Sequence, residues 1–182
     1  MTFRLPLVAA MLALLAVPAL ADSAMLVVDS SASMAGKLGR DRKADLVADA
    51  VASAMTDFPT EAKVGLLAFG SESKTSCGDA KVVVKPQQDG NEAVSQAAAK
   101  LTPRGKAPLA VAIERAANAI DYRKDHATIV VIVDKIEACD ADPCVLAGAL
   151  KAKSKDLAIE VIGLGLDEAD SARAACIAEQ GG

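Results

Sequence analysis

The sequence predicts an α/β fold with three layers (αβα), in which helices cover both faces of a mostly parallel sheet. Short apolar runs rich in β-branched residues alternate with longer amphipathic segments along the chain. This alternation predicts successive strand–helix units and therefore a Rossmann-like, doubly wound sheet. The runs are almost continuously apolar, as expected for strands that are buried on both faces.

Five segments are predicted as strands: residues 24–28, 63–69, 81–85, 128–133 and 157–164. Segment 128–133 is the most hydrophobic of them, which predicts a central strand beside segment 24–28, whereas the lysines around segment 81–85 suit an edge strand. Five segments have helical spacing or helix-start signals: residues 41–58, 91–101, 108–120, 142–153 and 168–179. Since ligands of such sheets bind beyond the carboxyl ends of the strands, we expect a site on the loops after Val28, Leu101 and Val133.

The first 21 residues are predicted to be a signal peptide that is removed, which leaves residues 22–182 as the domain. Arg4 precedes an apolar run over residues 5–20, and Ala19-Leu20-Ala21 is a typical cleavage site. The alternative is a retained membrane anchor, but this run is shorter than the roughly 20 residues that a spanning helix needs. We therefore expect a periplasmic or secreted protein with no membrane span after cleavage.

The charge balance and the scarcity of aromatic residues limit the class of partner. The chain has 20 basic and 24 acidic residues, and the predicted signal peptide contributes only one of them, a base. Acids and bases are interspersed, and Phe58, Phe69 and Tyr122 are the only aromatic residues after the leader. No basic patch with aromatics is present, so nucleic acid is not an expected partner.

Four cysteines, Cys77, Cys139, Cys144 and Cys176, follow the leader. An even number in an exported chain favours disulfide bonds over free thiols. Zinc is the weaker alternative, because the sequence has no pair of cysteines two residues apart and only one histidine, His126.

The loop that follows the first predicted strand carries the most informative motif, Asp29-Ser30-Ser31-Ala32-Ser33. Alternate residues of an extended segment point the same way, so the Asp29 carboxylate and the hydroxyls of Ser31 and Ser33 can converge. Such oxygens are the ligands that Mg²⁺ or Mn²⁺ prefers. The alternative is a serine-rich turn in which Ser31 or Ser33 caps the next helix.

This motif resembles the metal-ion-dependent adhesion site of the von Willebrand factor type A (VWA) family, and the resemblance covers nearly all of residues 22–182. Segment 101–109 is similar to the family's second metal loop, and Val133-Asp134 is similar to its third. Segments 134–144 and 176–182 resemble a bacterial exported branch with two cysteines five positions apart. The resemblance implies a module that binds a protein partner, with Asp29, Ser31, Ser33 and Asp134 as metal ligands.

Two departures from the family pattern affect this metal site. Ala107 stands where the family has a metal-binding threonine, and Lys135 stands where a glycine normally follows Asp134. We therefore expect a degenerate site at which Mg²⁺ or another divalent cation binds weakly or not at all. Lys135 could place its ammonium near Asp29 and Asp134, although the interpretation that we favour is an exposed loop lysine.

The resemblance also implies a disulfide pairing and an open end of the sheet. Cys139 is expected to bond to Cys144, and Cys77 to Cys176, which is one of three possible connectivities. Chains of this family usually continue beyond the equivalent of Gly181-Gly182 with another strand and helix. The sheet of this chain is therefore expected either to have an open edge or to do without those elements.

Three functions compete at this stage. The first is a non-catalytic protein-interaction module, or a non-catalytic subunit or structural accessory of a periplasmic enzyme or envelope complex. The second is an enzyme in which Asp29, Asp134 and Glu137 perform acid–base chemistry, although His126 is expected on the surface at the opposite end of the sheet. The third is a structural protein that has lost its ligand. We favour the interaction module, since no nucleophile elbow, phosphate loop or HExxH motif is present.

Overall fold

The five predicted strands and five predicted helices occur in the predicted order, while a short two-stranded ribbon was not predicted and includes residues 41–42, which were expected to be helical. The computed structural model describes residues 22–124, 126–136, 139, 141–154 and 156–182. The strands are β1 (Ser23–Asp29), β2 (Lys37–Leu38), β3 (Asp41–Arg42), β4 (Lys63–Phe69), β5 (Ala80–Gln87), β6 (Ala127–Val133) and β7 (Leu157–Gly163). The helices are α1 (Lys43–Asp57), α2 (Asn91–Ala98), α3 (Leu109–Ala119), α4 (Pro143–Lys151) and α5 (Glu168–Gly181), and a short 3₁₀ helix covers Ala32–Ala35. The predicted leader and Glu137 lie outside the described residues.

Five strands form one sheet in the order β5-β4-β1-β6-β7. All neighbours are parallel except β5, which runs antiparallel to β4 at the edge. Met25 of β1 lies beside Ile129 of β6, which confirms the predicted pairing of segments 24–28 and 128–133. The short strands β2 and β3 form a separate antiparallel ribbon.

Alternate residues of the central strand supply two hydrophobic cores, one on each face of the sheet. Met25 and Val27 pack into the core beneath α3, α4 and α5. Leu26 and Val28 pack into the core beneath α1 and α2. Because a strand buried on both faces needs apolar residues at every position, β1 shows no polar alternation. The three-layer αβα prediction is confirmed.

Helix α4 illustrates how local sequence sets an element boundary. The side chain of Asp142 accepts hydrogen bonds from the backbone N–H groups of Cys144 and Val145, and Pro143 occupies the first helical turn. Asp142 thus satisfies two of the N–H groups that have no partner within the helix. Among the described residues, no helix is both long enough and apolar enough to cross a membrane.

The predicted disulfide pairing is wrong, because the structure pairs Cys77 with Cys139 and Cys144 with Cys176. The Cα atoms of the two pairs lie 5.7 and 5.6 Å apart, within the range that a disulfide requires. Cys144 lies in the first turn of α4, which packs against the helix that carries Cys176. Cys77 and Cys139 lie on loops that follow β4 and β6, whose parallel carboxyl ends meet at one edge of the sheet.

Candidate functional site

The four residues predicted as metal ligands converge at the carboxyl ends of β1 and β6. Asp29 is the last residue of β1, and its Oδ1 accepts a hydrogen bond of 2.7 Å from the backbone N–H of Ser31. The hydroxyl oxygens of Ser31 and Ser33 lie 3.0 Å apart, and Ser33 donates a 2.7 Å hydrogen bond to Asp134 Oδ1. Ser31 immediately precedes the 3₁₀ helix as its N-cap residue, but its side chain makes no capping hydrogen bond. The hydroxyls therefore serve the cluster rather than the helix end.

Lys43 is a member of this cluster that the sequence analysis did not identify. Its Nζ donates a 2.8 Å hydrogen bond to Asp134 Oδ2, so both carboxylate oxygens of Asp134 have partners. The Asp134 side chain is 1% exposed and the Lys43 side chain 17% exposed. A cation in the first turn of a helix is unfavourable, because the positive end of the helix dipole lies there. A lysine at this position of a predicted helix is therefore the sequence signal from which Lys43 could have been identified as a member of the cluster.

The ribbon of β2 and β3 returns the chain so that α1 starts beside the cluster. Gly39, at the turn of the ribbon, has a φ of +67°, and the backbone N–H of Lys43 donates to the carbonyl of Gly36 at 2.9 Å. The neighbouring Arg42 forms a surface ion pair with Asp45 at 2.6 Å. This hydrogen bond and the charge of Asp45 raise the pKa of Arg42 above its usual value. Arg42 thus pairs with Asp45 on the surface, whereas the neighbouring Lys43 contacts Asp134.

The two departures from the family pattern have different consequences in the structure. Ala107 is buried, with 2% of its surface exposed, and contributes a methyl group where an oxygen was expected. Lys135 is an exposed loop residue, which agrees with the interpretation favoured above. The ammonium that pairs with Asp134 therefore comes from α1 rather than from the loop after β6.

Backbone hydrogen bonds join three loops into one surface. The N–H of Ser30 donates to the Phe69 carbonyl at 2.8 Å, and the N–H of Ala32 donates to the Gly105 carbonyl at 3.0 Å. Gly105 in turn donates to the Gly70 carbonyl at 2.7 Å. Gly70 has a φ of +73°, and a Cβ atom there would overlap backbone atoms of the other two loops. Only glycine fits this position, so the three loops keep a fixed relation to one another.

The described donor set forms no clear site for a divalent cation. An octahedral Mg²⁺ site needs several oxygens free to coordinate, whereas Asp134 is already engaged by Ser33 and Lys43. Ala107 offers no side-chain oxygen, and the Lys43 ammonium places a positive charge on the same carboxylate. Within the described residues, no group of three or more His, Cys, Asp or Glu side chains is arranged to hold a metal ion.

Among the residues considered for acid–base chemistry, the structure describes Asp29, Asp134 and His126. His126 lies just before β6, at the opposite edge of the sheet, and its Nδ1 is 3.8 Å from Asp156 Oδ1. The carboxylates of Asp29 and Asp134 both accept internal hydrogen bonds. Glu137, the third acid considered, falls in the part of the chain that the structure does not describe.

Comparisons with known proteins agree with this architecture. A family model described as a von Willebrand factor type A domain matches residues 24–137. The uncharacterised protein YwmD of Bacillus subtilis strain 168 is 26% identical over 148 residues, which cover 76% of this chain and 66% of YwmD. The chain thus spans slightly less than two-thirds of that relative.

Several solved structures share the fold at low sequence identity. The SpRpn10 VWA domain superposes with a TM-score of 0.64 at 19% identity, covering 87% of this chain and 82% of that one. The PilB minor pilin of Streptococcus sanguinis gives 0.64 at 12% identity, covering 91% of this chain and 56% of the pilin. Proximal thread matrix protein 1 from the mussel byssus, with a zinc-occupied MIDAS motif, superposes with a TM-score of 0.61 at 14% identity, covering 84% of this chain and 40% of that protein.

Proposed function

Because the chain belongs to the von Willebrand factor type A domain family, we propose that it is an exported interaction module that binds a protein partner. The partner binds the strand-end face, which we define as loops 30–36 and 103–107 together with Asp134 and Lys135. Domains of this family are in general non-catalytic interaction modules. The observation that carries the proposal is the rigid joining of these loops around the cluster of Asp29, Ser31, Ser33 and Asp134.

The adhesion site on this face is degenerate, and the Lys43 ammonium takes the place of a divalent cation. Its 2.8 Å contact with Asp134 neutralises a carboxylate that is almost fully buried. A buried carboxylate without a compensating charge would cost several kcal/mol, so the site needs a cation of some kind. In this chain the cation is covalently attached, and partner binding accordingly needs no added metal.

Two observations support a location outside the cytoplasm. All four cysteines form disulfides, which persist in oxidising compartments and are rare elsewhere. The structural relatives include a streptococcal minor pilin and a pilus adhesin of Lactobacillus rhamnosus GG. Together with the signal peptide that the sequence predicts over residues 1–21, these observations favour a periplasmic or secreted domain that begins at Asp22.

A non-catalytic role as a subunit or structural accessory of a periplasmic enzyme or envelope complex is the alternative form of the same proposal. It is favoured by the absence of an assembled acid–base pair on the strand-end face within the described residues. The two forms differ in the partner that is captured, and one experiment therefore addresses both.

Site-directed photocrosslinking tests the proposal. A photoreactive amino acid is placed at Lys135, which is exposed on the strand-end face. The control position is Glu114, which is exposed on α3 and lies outside the strand-end face. Crosslinking in periplasmic extract, with and without chelator, is expected to give a discrete product from position 135 that the chelator does not remove. Identical products from both positions would argue against the face. A product that chelator removes would argue against the degenerate site.

A further inference from the structure

An apolar groove lies on the α1 side of the sheet, away from the strand-end face. Helices α1 and α2 share a hydrophobic core with β1, β4 and Ile132 of β6, whereas β7 adds no buried residue to this core. The outer part of this face is formed by β6 and β7. The groove between α1 and these two strands encloses about 320 Å³. Its lining is nearly all carbon and includes Leu26, Ala54, Val130, Ile132 and Ile162.

Side chains of β7 alternate between the buried core on one face of the sheet and the groove on the other face. Leu157 and Ile159 point to the other face and are buried in the core that contains α5. Ile162 points into the groove and is 49% exposed, and Ala54 on α1 is also exposed. Contiguous exposed apolar surface of this kind marks an interaction site more often than isolated apolar residues do.

Two acidic side chains lie beside the groove. Glu160 lies in register with Val130 on the groove side of β7 and is exposed. Asp57 is exposed next to Phe58, which lines the groove. Neither carboxylate forms an ion pair with a basic side chain of the described chain, and the groove lining contains no lysine or arginine. A partner that carries both apolar side chains and positive charge complements this surface.

We propose that the groove binds an amphipathic, basic helix of a partner protein. The floor from Thr128 to Ile132 rises about 13 Å at roughly 3.3 Å per strand residue, which matches two to three helical turns at about 5.4 Å each. Apolar residues at helical spacing would occupy the groove, as in other helix-in-groove complexes. Flanking lysines or arginines would face Glu160 and Asp57.

Binding of designed peptides to residues 22–182 with intact disulfides tests this proposal. The probe is an 18-residue peptide with leucine on one helical face and lysine elsewhere, and the matched control replaces lysine by glutamate. Fluorescence anisotropy is expected to show binding of the lysine peptide only. Ala54→Arg, which adds bulk and positive charge inside the groove, should weaken binding at least tenfold, whereas Ala52→Arg on the same helix, outside the groove lining, should not.

Charge reversal separates the groove from general attraction to an acidic protein. Glu160→Lys should weaken binding about fivefold, as expected for a surface ion pair, while Glu114→Lys on α3 should change it far less. Equal effects of the two reversals, or of the two arginine variants, would overturn the proposal. Self-association of the protein that Ala54→Arg abolishes would show that a second copy of this chain occupies the groove. If residues 1–21 of the uncleaved chain exclude the peptide, the leader is the occupant. Either result overturns the proposal.

Discussion

Replacing Lys43 by methionine tests whether its ammonium holds the charge of Asp134. The substitution keeps most of the aliphatic volume and removes the 2.8 Å ion pair. Breaking a fully buried pair costs about 3–5 kcal/mol, whereas an exposed pair contributes about 0.2–1 kcal/mol. The Lys43 side chain is 17% exposed and that of Asp134 is 1% exposed, so the pair lies closer to the buried limit. Asp134 keeps its hydrogen bond from Ser33, and removal of a cation from the start of α1 recovers about 0.5 kcal/mol. We expect a net loss of about 2 kcal/mol.

Urea unfolding of residues 22–182 with intact disulfides measures this loss. At a slope near 2 kcal/mol per molar, the midpoint should fall by about 1 M while the slope stays unchanged. Lys37→Met, at an exposed lysine of β2, is the matched control and should change stability by less than about 0.5 kcal/mol. In a double-mutant cycle, Lys43→Met should cost much less when Asp134 is already asparagine. If the Lys43 variant is no less stable than the Lys37 variant, or if the cycle is additive, Lys43 does not stand in for a cation.

Three further results are expected. Ala107→Thr combined with Lys43→Ala should create Mg²⁺ binding that calorimetry can measure, because the double change adds an oxygen and removes the competing ammonium. Ala107→Thr combined with Lys135→Gly should bind Mg²⁺ less well, since Lys43 still pairs with Asp134. Equal Mg²⁺ titrations of the two double variants would contradict this. Gly70→Ala should lower the thermal midpoint of unfolding by several degrees, a shift that corresponds to at least about 1 kcal/mol. The positive φ of Gly70 and the overlap with atoms of two loops both oppose a Cβ atom there. An unchanged midpoint would mean that the loops are not held rigidly. Intact mass of the exported protein should correspond to a chain that starts at Asp22, and a mass that includes the leader would support a retained anchor.

The strands were predictable because their burial leaves a simple record in the sequence. A strand buried on both faces must be apolar throughout, so segments 24–28 and 128–133 could be located and paired from their residue types alone. The convergence of Asp29, Ser31 and Ser33 was predictable as well, since it depends on residues within one loop. The location of each strand and the convergence within the loop both depend on short-range patterns.

The parts that sequence reasoning missed depend on distant residues. Lys43 and Asp134 are 91 positions apart, and nothing local to either residue specifies the other. The disulfide pairing likewise depends on which helices and loops become neighbours, and four cysteines allow three connectivities. A cation at the start of α1 is a local anomaly, but it does not specify which carboxylate compensates its charge.

The position of β1 at the centre of the sheet has a consequence for folding kinetics. β1 is the first strand of the described chain, yet its neighbours β4 and β6 begin at Lys63 and Ala127. The β1–β4 pairing joins segments separated by about 40 residues, whereas the β1–β6 pairing joins segments about 100 residues apart and can form only once β6 has been synthesised. Non-local parallel pairing of this kind slows folding, because loop closure must precede the contacts that stabilise it. A growing chain is consequently unable to complete its sheet on the ribosome until most of its length has emerged, which favours folding after synthesis rather than during it.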